Sequence, residues 1–129
     1  MKNQEDKNHQ LEELVEENEG QLTIDVYQTP DAIVIESTIA GVEAEDLDIE
    51  ITPELVNIRG ERRRQEHVPE ENYLYQECYW GRFSRSVILP QEIDPDKSSA
   101  ELKNGILKII LPKINRAKTK KLKIKADDN

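Results

Sequence analysis

Few residues in this 129-residue chain are of types that do covalent or metal chemistry, and their spacing argues against both. The two histidines, His9 and His67, stand far apart, and neither has a cysteine or second histidine at zinc-ligand spacing. Cys78 is the single cysteine, so no intramolecular disulfide can form. It has no local base to draw off its proton, and beside Tyr79 and Trp80 it reads as a packing residue. Gly20, Gly41, Gly60, Gly81 and Gly105 are isolated at turn positions, which leaves no glycine-rich loop to cradle a phosphate. Carboxylates are dense enough that chance explains their pairs, and glycosidase-type pairs need a deep cleft that a small sandwich rarely offers. No catalytic residue, cofactor or metal ligand is therefore expected.

What the residues could do instead is join other chains. Two segments carry that signal. One is Tyr73-Leu74-Tyr75-Gln76, which follows an almost wholly polar stretch over residues 62–72. A polar loop of that length inside a small domain is uncommon and usually functional. The other is Leu122-Lys123-Ile124, where two apolar residues flank a lysine. In an extended segment they point the same way, suited to an apolar groove with main-chain pairing along a strand edge. Spacing alone fits equally well a last strand of the protein's own sheet.

The elements that must position these segments are strands. Leu22, Ile24 and Val26 alternate with polar residues, the period of a half-buried strand. Residues 32–40 are rich in β-branched types. Leu47, Ile49 and Ile51 alternate with Asp48, Glu50 and Thr52, and Pro53-Glu54 turns the chain back into residues 55–61. Phe83, Arg85, Val87 and Leu89 share one face. Arg85 sits there among apolar neighbours that would half-bury it, so a carboxylate partner is expected. Asn104-Gly105 between residues 100–102 and 106–111 is the strongest short hairpin signal. Seven or eight short strands with frequent turns and no convincing helix between them predict an all-β, antiparallel sandwich.

Charge divides the chain into three. Residues 1–21 carry seven acids against two lysines and read as a disordered acidic arm. Leu11, Leu14 and Val15 have helical spacing, but so short an isolated helix is marginal in water. Residues 22–112 form the sandwich. Residues 113–129 begin with seven bases and no acid over 113–125, a basic, solubilising extension. The formal net charge of −9 makes nucleic acid an unfavourable partner, because that affinity comes largely from neutralised phosphates. No apolar stretch nears the roughly 20 residues that span a bilayer, and no signal-peptide pattern opens the chain, so no membrane partner and a cytoplasmic address are expected.

Read together, these motifs resemble the small heat-shock protein family. Residues 100–109, Ala-Glu-Leu-Lys-Asn-Gly-Ile-Leu-Lys-Ile, match its A-x-L-x-N-G-x-L-x-I block. Residues 79–90, Tyr-Trp-Gly-Arg-Phe-Ser-Arg-Ser-Val-Ile-Leu-Pro, resemble its aromatic-G-x-F-x-R-x-x-x-L-P segment. Ile39-Ala40-Gly41-Val42 with Asp46-Leu47-Asp48-Ile49 is similar to its P-G stretch, with Ala40 in place of proline. Leu122-Lys123-Ile124 is similar to its C-terminal I/L-x-I/L motif. Glu77-Cys78 stands where the family usually has Glu-Arg, and the arm is shorter and more acidic than in relatives.

The resemblance implies an immunoglobulin-like α-crystallin sandwich. It implies a dimer made by exchange of the strand Tyr73, Leu74, Tyr75 and Gln76, with Arg85 as an interface arginine. It further implies a groove lined by Leu47, Ile49, Ile51, Ala100 and Leu102 that receives Leu122 and Ile124 of another dimer. The implied function is that of an ATP-independent holdase that binds unfolding client proteins, needs no cofactor and assembles with itself. The alternative is a non-chaperone adaptor built on the same sandwich, as in CS-domain co-chaperones.

Overall fold

Period-two alternation in the sequence becomes eight strands in the computed structural model, which describes residues 19–114 and 121–127. Of the acidic arm expected over residues 1–21, residues 1–18 lie outside the described residues, as do the tail bases Arg116, Lys118 and Lys120, while Gly20–Gln21 form β1. The strands are β1 (Gly20–Gln21), β2 (Asp25–Gln28), β3 (Ala32–Thr38), β4 (Leu47–Ile51), β5 (Leu55–Arg62), β6 (Gly81–Ile88), β7 (Ser99–Lys103) and β8 (Ile106–Pro112). Among the described residues, short 3-10 turns interrupt them at Ala44–Asp46, Glu70–Asn72 and Pro95–Lys97.

Two four-stranded sheets result, ordered β1-β6-β5-β4 and β2-β3-β8-β7. All pairings are antiparallel except that of β1 with β6. This is the β-sandwich expected from the alternation, in the immunoglobulin-like form that the resemblance implies. Ile33, Ile35, Val56, Ile58, Ile109 and Leu111 are fully buried between the sheets. Both predicted hairpins form, with Leu47–Ile51 paired to residues 56–60 and Ser99–Lys103 to residues 106–110. Asn104 (φ 53°) and Gly105 (φ 75°) turn the second, as a two-residue loop matched to strand twist requires.

The structure departs from the sequence reading at Leu22–Tyr27, which is not one strand. Gly20–Gln21 pair with Phe83–Ser84 in one sheet, and Asp25–Gln28 pair with Ile33–Glu36 in the other. Residues 22–24 cross between them. Leu22 is buried and Ile24 packs against the core, so their alternation is real, but both project into the gap between two sheets. Hydrogen bonds hold the crossing, from Leu22 N–H to Ser84 O (3.3 Å) and from the buried Ser37 hydroxyl to Thr23 O (2.8 Å). Tyr79 anchors its start, because the Gly20 N–H donates to the Tyr79 hydroxyl (3.0 Å), which itself donates to Arg82 O.

One glycine is required by packing. Gly60 lies opposite both Leu47 and Phe83, and a Cβ there would stand 2.5 Å from the Phe83 ring and 2.9 Å from Leu47. The buried Phe83 ring fills the space a side chain would take. Gly60→Val is therefore expected to destabilise the sandwich by about 1–3 kcal/mol, the usual cost of overpacking a filled core. Denaturant titration of the variant against the parent measures it.

Candidate functional site

Each sheet ends in two edge strands, and an unpaired edge is a template for another strand. β1 and β2 are consecutive and joined by three residues, so they occupy edges on one side of the sandwich. β4 and β7 are then the edges on the other side. β4 turns Leu47, Ile49 and Ile51 inward, yet all three are only half-buried. Leu102 on β7 is half-buried in the same way, and Ala100 is exposed. Fully paired interior strands bury such residues; Val56 and Ile58 on β5 are 0% exposed. The five residues proposed from sequence to line a groove thus occupy two edge strands whose apolar faces neither sheet closes.

Leu122 and Ile124 are 75% and 96% exposed. They belong to no strand, which excludes, within this chain, the reading of them as a last strand of the protein's own sheet. Lys113 ends the ladder by bridging to Ile93, and its ammonium donates to Gln28 and to Thr29 O.

Tyr73, Leu74, Tyr75 and Gln76 likewise join no sheet. Leu74 is 92% and Tyr75 85% exposed, an unusual state for large apolar side chains next to each other. The loop that carries them springs from the β5–β6 hairpin, where Arg62 faces Gly81. Its base is tied down by arginines. Arg62 donates to Ala40 O (2.9 Å) and Tyr79 O (3.3 Å), and Arg64 lies between the rings of Tyr73 and Trp80, 5.3 Å from each centroid. Arg64, Gln65, His67, Tyr73, Gln76 and Trp80 line an open recess of about 450 Å³. Sequence reasoning missed these two arginines; the signal was the Arg62-Arg63-Arg64 run at the end of a strand, with aromatics across the loop. Arg63, itself exposed, pairs with the half-buried Asp46 (3.4 Å) and with the exposed Glu61 (3.5 Å), and water around the guanidinium screens both.

Arg85 is half-buried on the inner face of β6, as expected, and within the described residues of one chain its guanidinium donates to a main-chain carbonyl, Leu22 O, at 3.2 Å. It therefore pins the crossing between β1 and β2. A hydrogen bond from a charged donor contributes about 1.5–3 kcal/mol, and partial exposure puts this one toward the lower figure. Arg85→Gly should lower the melting midpoint and loosen residues 19–24; faster amide exchange at Leu22 is the local readout, and an unchanged melt would make Arg85 an ordinary solvated arginine.

On the opposite edge, the Tyr27 hydroxyl donates to the Glu36 carboxylate (2.9 Å), and this hydrogen bond pushes the phenol above its ordinary range. The β2 edge therefore presents a neutral Tyr27 through the physiological range. Among the described residues no group of three or more His, Cys, Asp or Glu is placed to hold a metal, and no helix is long and apolar enough to cross a membrane.

Comparison with known proteins agrees with this arrangement of strands. The profile of the Hsp20/alpha crystallin family matches residues 25–126. Small heat shock protein C2 of Rickettsia felis is 34% identical over 101 residues, which cover 78% of this chain and 66% of that one. Among solved structures, heat shock protein 16.0 from Schizosaccharomyces pombe superposes with a TM-score of 0.69 at 32% identity, over 83% of this chain and 100% of that one. A small heat-shock protein from Xylella fastidiosa, described as having a distinct high order structure, superposes with a TM-score of 0.66 at 26% identity, over 83% and 96%. The matches span 59% to 66% of the length of three curated relatives.

Proposed function

Because this chain belongs to the Hsp20/alpha crystallin family, we propose that it is an ATP-independent holdase, binding unfolding proteins and limiting their aggregation. The observation that carries the reading is the unclosed edge of the sandwich, where Leu47, Ile49, Ile51 and Leu102 stay half-buried. Unfolding clients expose apolar, extended segments. An edge with unpaired N–H and C=O groups above an apolar cleft offers such segments both main-chain pairing and burial. Burial supplies the free energy, so no nucleotide is needed. A body with net charge −9 helps to keep the loaded complexes dissolved.

Assembly uses the same physics. The segment Tyr73–Gln76 crosses to the exposed edge of β2 in a second chain, making a dimer. Every residue of β2 is exposed, and that edge is the longer of the two on its side of the sandwich. The tail residues Leu122 and Ile124 of one dimer enter the β4–β7 groove of another.

The test is aggregation of a heat-unfolded client, followed by light scattering without ATP. Substoichiometric to equimolar chain should suppress the scattering in proportion to its amount. A chain that leaves client aggregation untouched would instead be an adaptor using the same sandwich as a fixed interaction module.

A further inference from the structure

We infer that this chain selects its own tail by charge, with Lys121, Lys123 and Lys125 of a second copy meeting Asp48 and Glu50, so that the tail adds as a strand to β4 and not to β7. The inference rests on the groove reading above and specifies which edge is used and which residues set the choice.

The two segments have matching periods. On β4 the apolar Leu47, Ile49 and Ile51 pack against the core, while Asp48 and Glu50 point out and are exposed. In the tail, Leu122 and Ile124 alternate with Lys121, Lys123 and Lys125. A strand beside β4 with its apolar pair turned inward must turn its lysines to the face that carries the acids, because side chains alternate strictly.

Register then leaves no freedom in the outcome. Leu122 and Ile124 can stand beside Ile49 and Ile51 or beside Leu47 and Ile49, with the tail parallel or antiparallel to β4. In all four arrangements Lys123 lies opposite Asp48 or Glu50, and Lys121 or Lys125 lies opposite the other. Directly opposed unlike charges on neighbouring strands attract, and like charges repel.

The β7 edge lacks this match. Its outward residues are Ser99, Glu101 and Lys103, and Glu101 already lies across from Lys108 on β8. A tail added there would set Lys123 opposite Glu101 but Lys121 or Lys125 opposite Lys103, so one repulsion offsets the one attraction. On β4, Asp48 lies across from Arg59, but Glu50 lies across from the neutral Asn57. The occupant is a second copy because Leu122 and Ile124 of the described chain are exposed and enter no strand.

The test is the concentration at which large assemblies of the full chain fall to smaller species, read by light scattering over a dilution series at low salt. Reversing the tail (Lys121, Lys123 and Lys125→Glu) or the edge (Asp48 and Glu50→Lys) should raise that concentration about tenfold or more, since weak pair terms multiply across several contacts. Joining both reversals in one chain should bring it back to within about threefold of the parent. If the edge reversal unfolds the chain, Asp48→Asn with Glu50→Gln gives a milder shift of about threefold in the same direction. Glu101→Lys on β7 should leave the midpoint unchanged.

Reversals without effect, or a doubly reversed chain that does not recover, overturn the inference, as does a Glu101→Lys shift equal to that of the β4 acids. If Leu122→Ala with Ile124→Ala dissolves the assemblies while the charge variants do not, the groove reading stands and charge selection falls. If that apolar pair leaves them intact, both fall.

Discussion

Chains carrying Leu122→Ala together with Ile124→Ala are expected to remain dimers at concentrations where the parent forms larger species. Both side chains are largely exposed in the isolated chain, so the folded domain loses little when they are trimmed. What is lost is burial in a neighbour's groove. Burying a leucine and an isoleucine is worth about 1.5–3 kcal/mol each, so the pair contributes roughly 3–6 kcal/mol before ordering costs. Fixing about five tail residues costs about 1 kcal/mol or more apiece. A single docked tail is therefore weak, and only several acting together in a closed assembly hold it. The parent assemblies should accordingly dissociate on dilution and at high salt, the latter because the tail bases approach an acidic body. Light scattering across a dilution series checks the variant. Large particles that persist in it would show that the tail is not the link.

Deleting residues 66–76 should convert the dimer to a monomer whose sandwich is intact. The deletion removes Tyr73, Leu74, Tyr75 and Gln76, which pair with no strand of their own chain. It spares the hairpin, because Arg62 and Gly81 are already opposed and residues 63–65 and 77–80 remain to close a loop of ordinary length. In the parent, the ten residues 63–72 beyond β5 would supply the reach for exchange, since an extended chain covers about 3.3–3.6 Å per residue and ten span more than 30 Å. Loss of the Arg64 stacking on Tyr73 is the main intrachain cost, on the order of 0.5–1 kcal/mol for an exposed cation–π contact. Sedimentation gives the mass and circular dichroism the sheet content. A deleted chain that still sediments as the parent dimer would place the dimer contact elsewhere.

The sequence by itself determined the strands and their hairpins, for a local reason. Alternation at Leu47–Ile51 and the Asn104-Gly105 pair act over a few residues, and steric limits on positive φ leave little choice at the turn. Leu122-Lys123-Ile124 fits by spacing alone either an outward tail or a last strand of the protein's own sheet, and only the structure leaves it outside both sheets. Only the tertiary structure decided what faces what. Leu22 and Ile24 alternate as a single strand would, yet the chain crosses between sheets there, since both positions of a sandwich bury the same period and periodicity cannot tell them apart. Arg85 has apolar neighbours in sequence, but that the Leu22 carbonyl meets it within the chain depends on a crossing segment more than sixty residues away. Arg64 between Tyr73 and Trp80, Phe83 over Gly60, and the edges β4 and β7 on one side of the sandwich are likewise set by strand order. Strand order arises from how two twisted sheets jointly bury one core, and no local pattern encodes it.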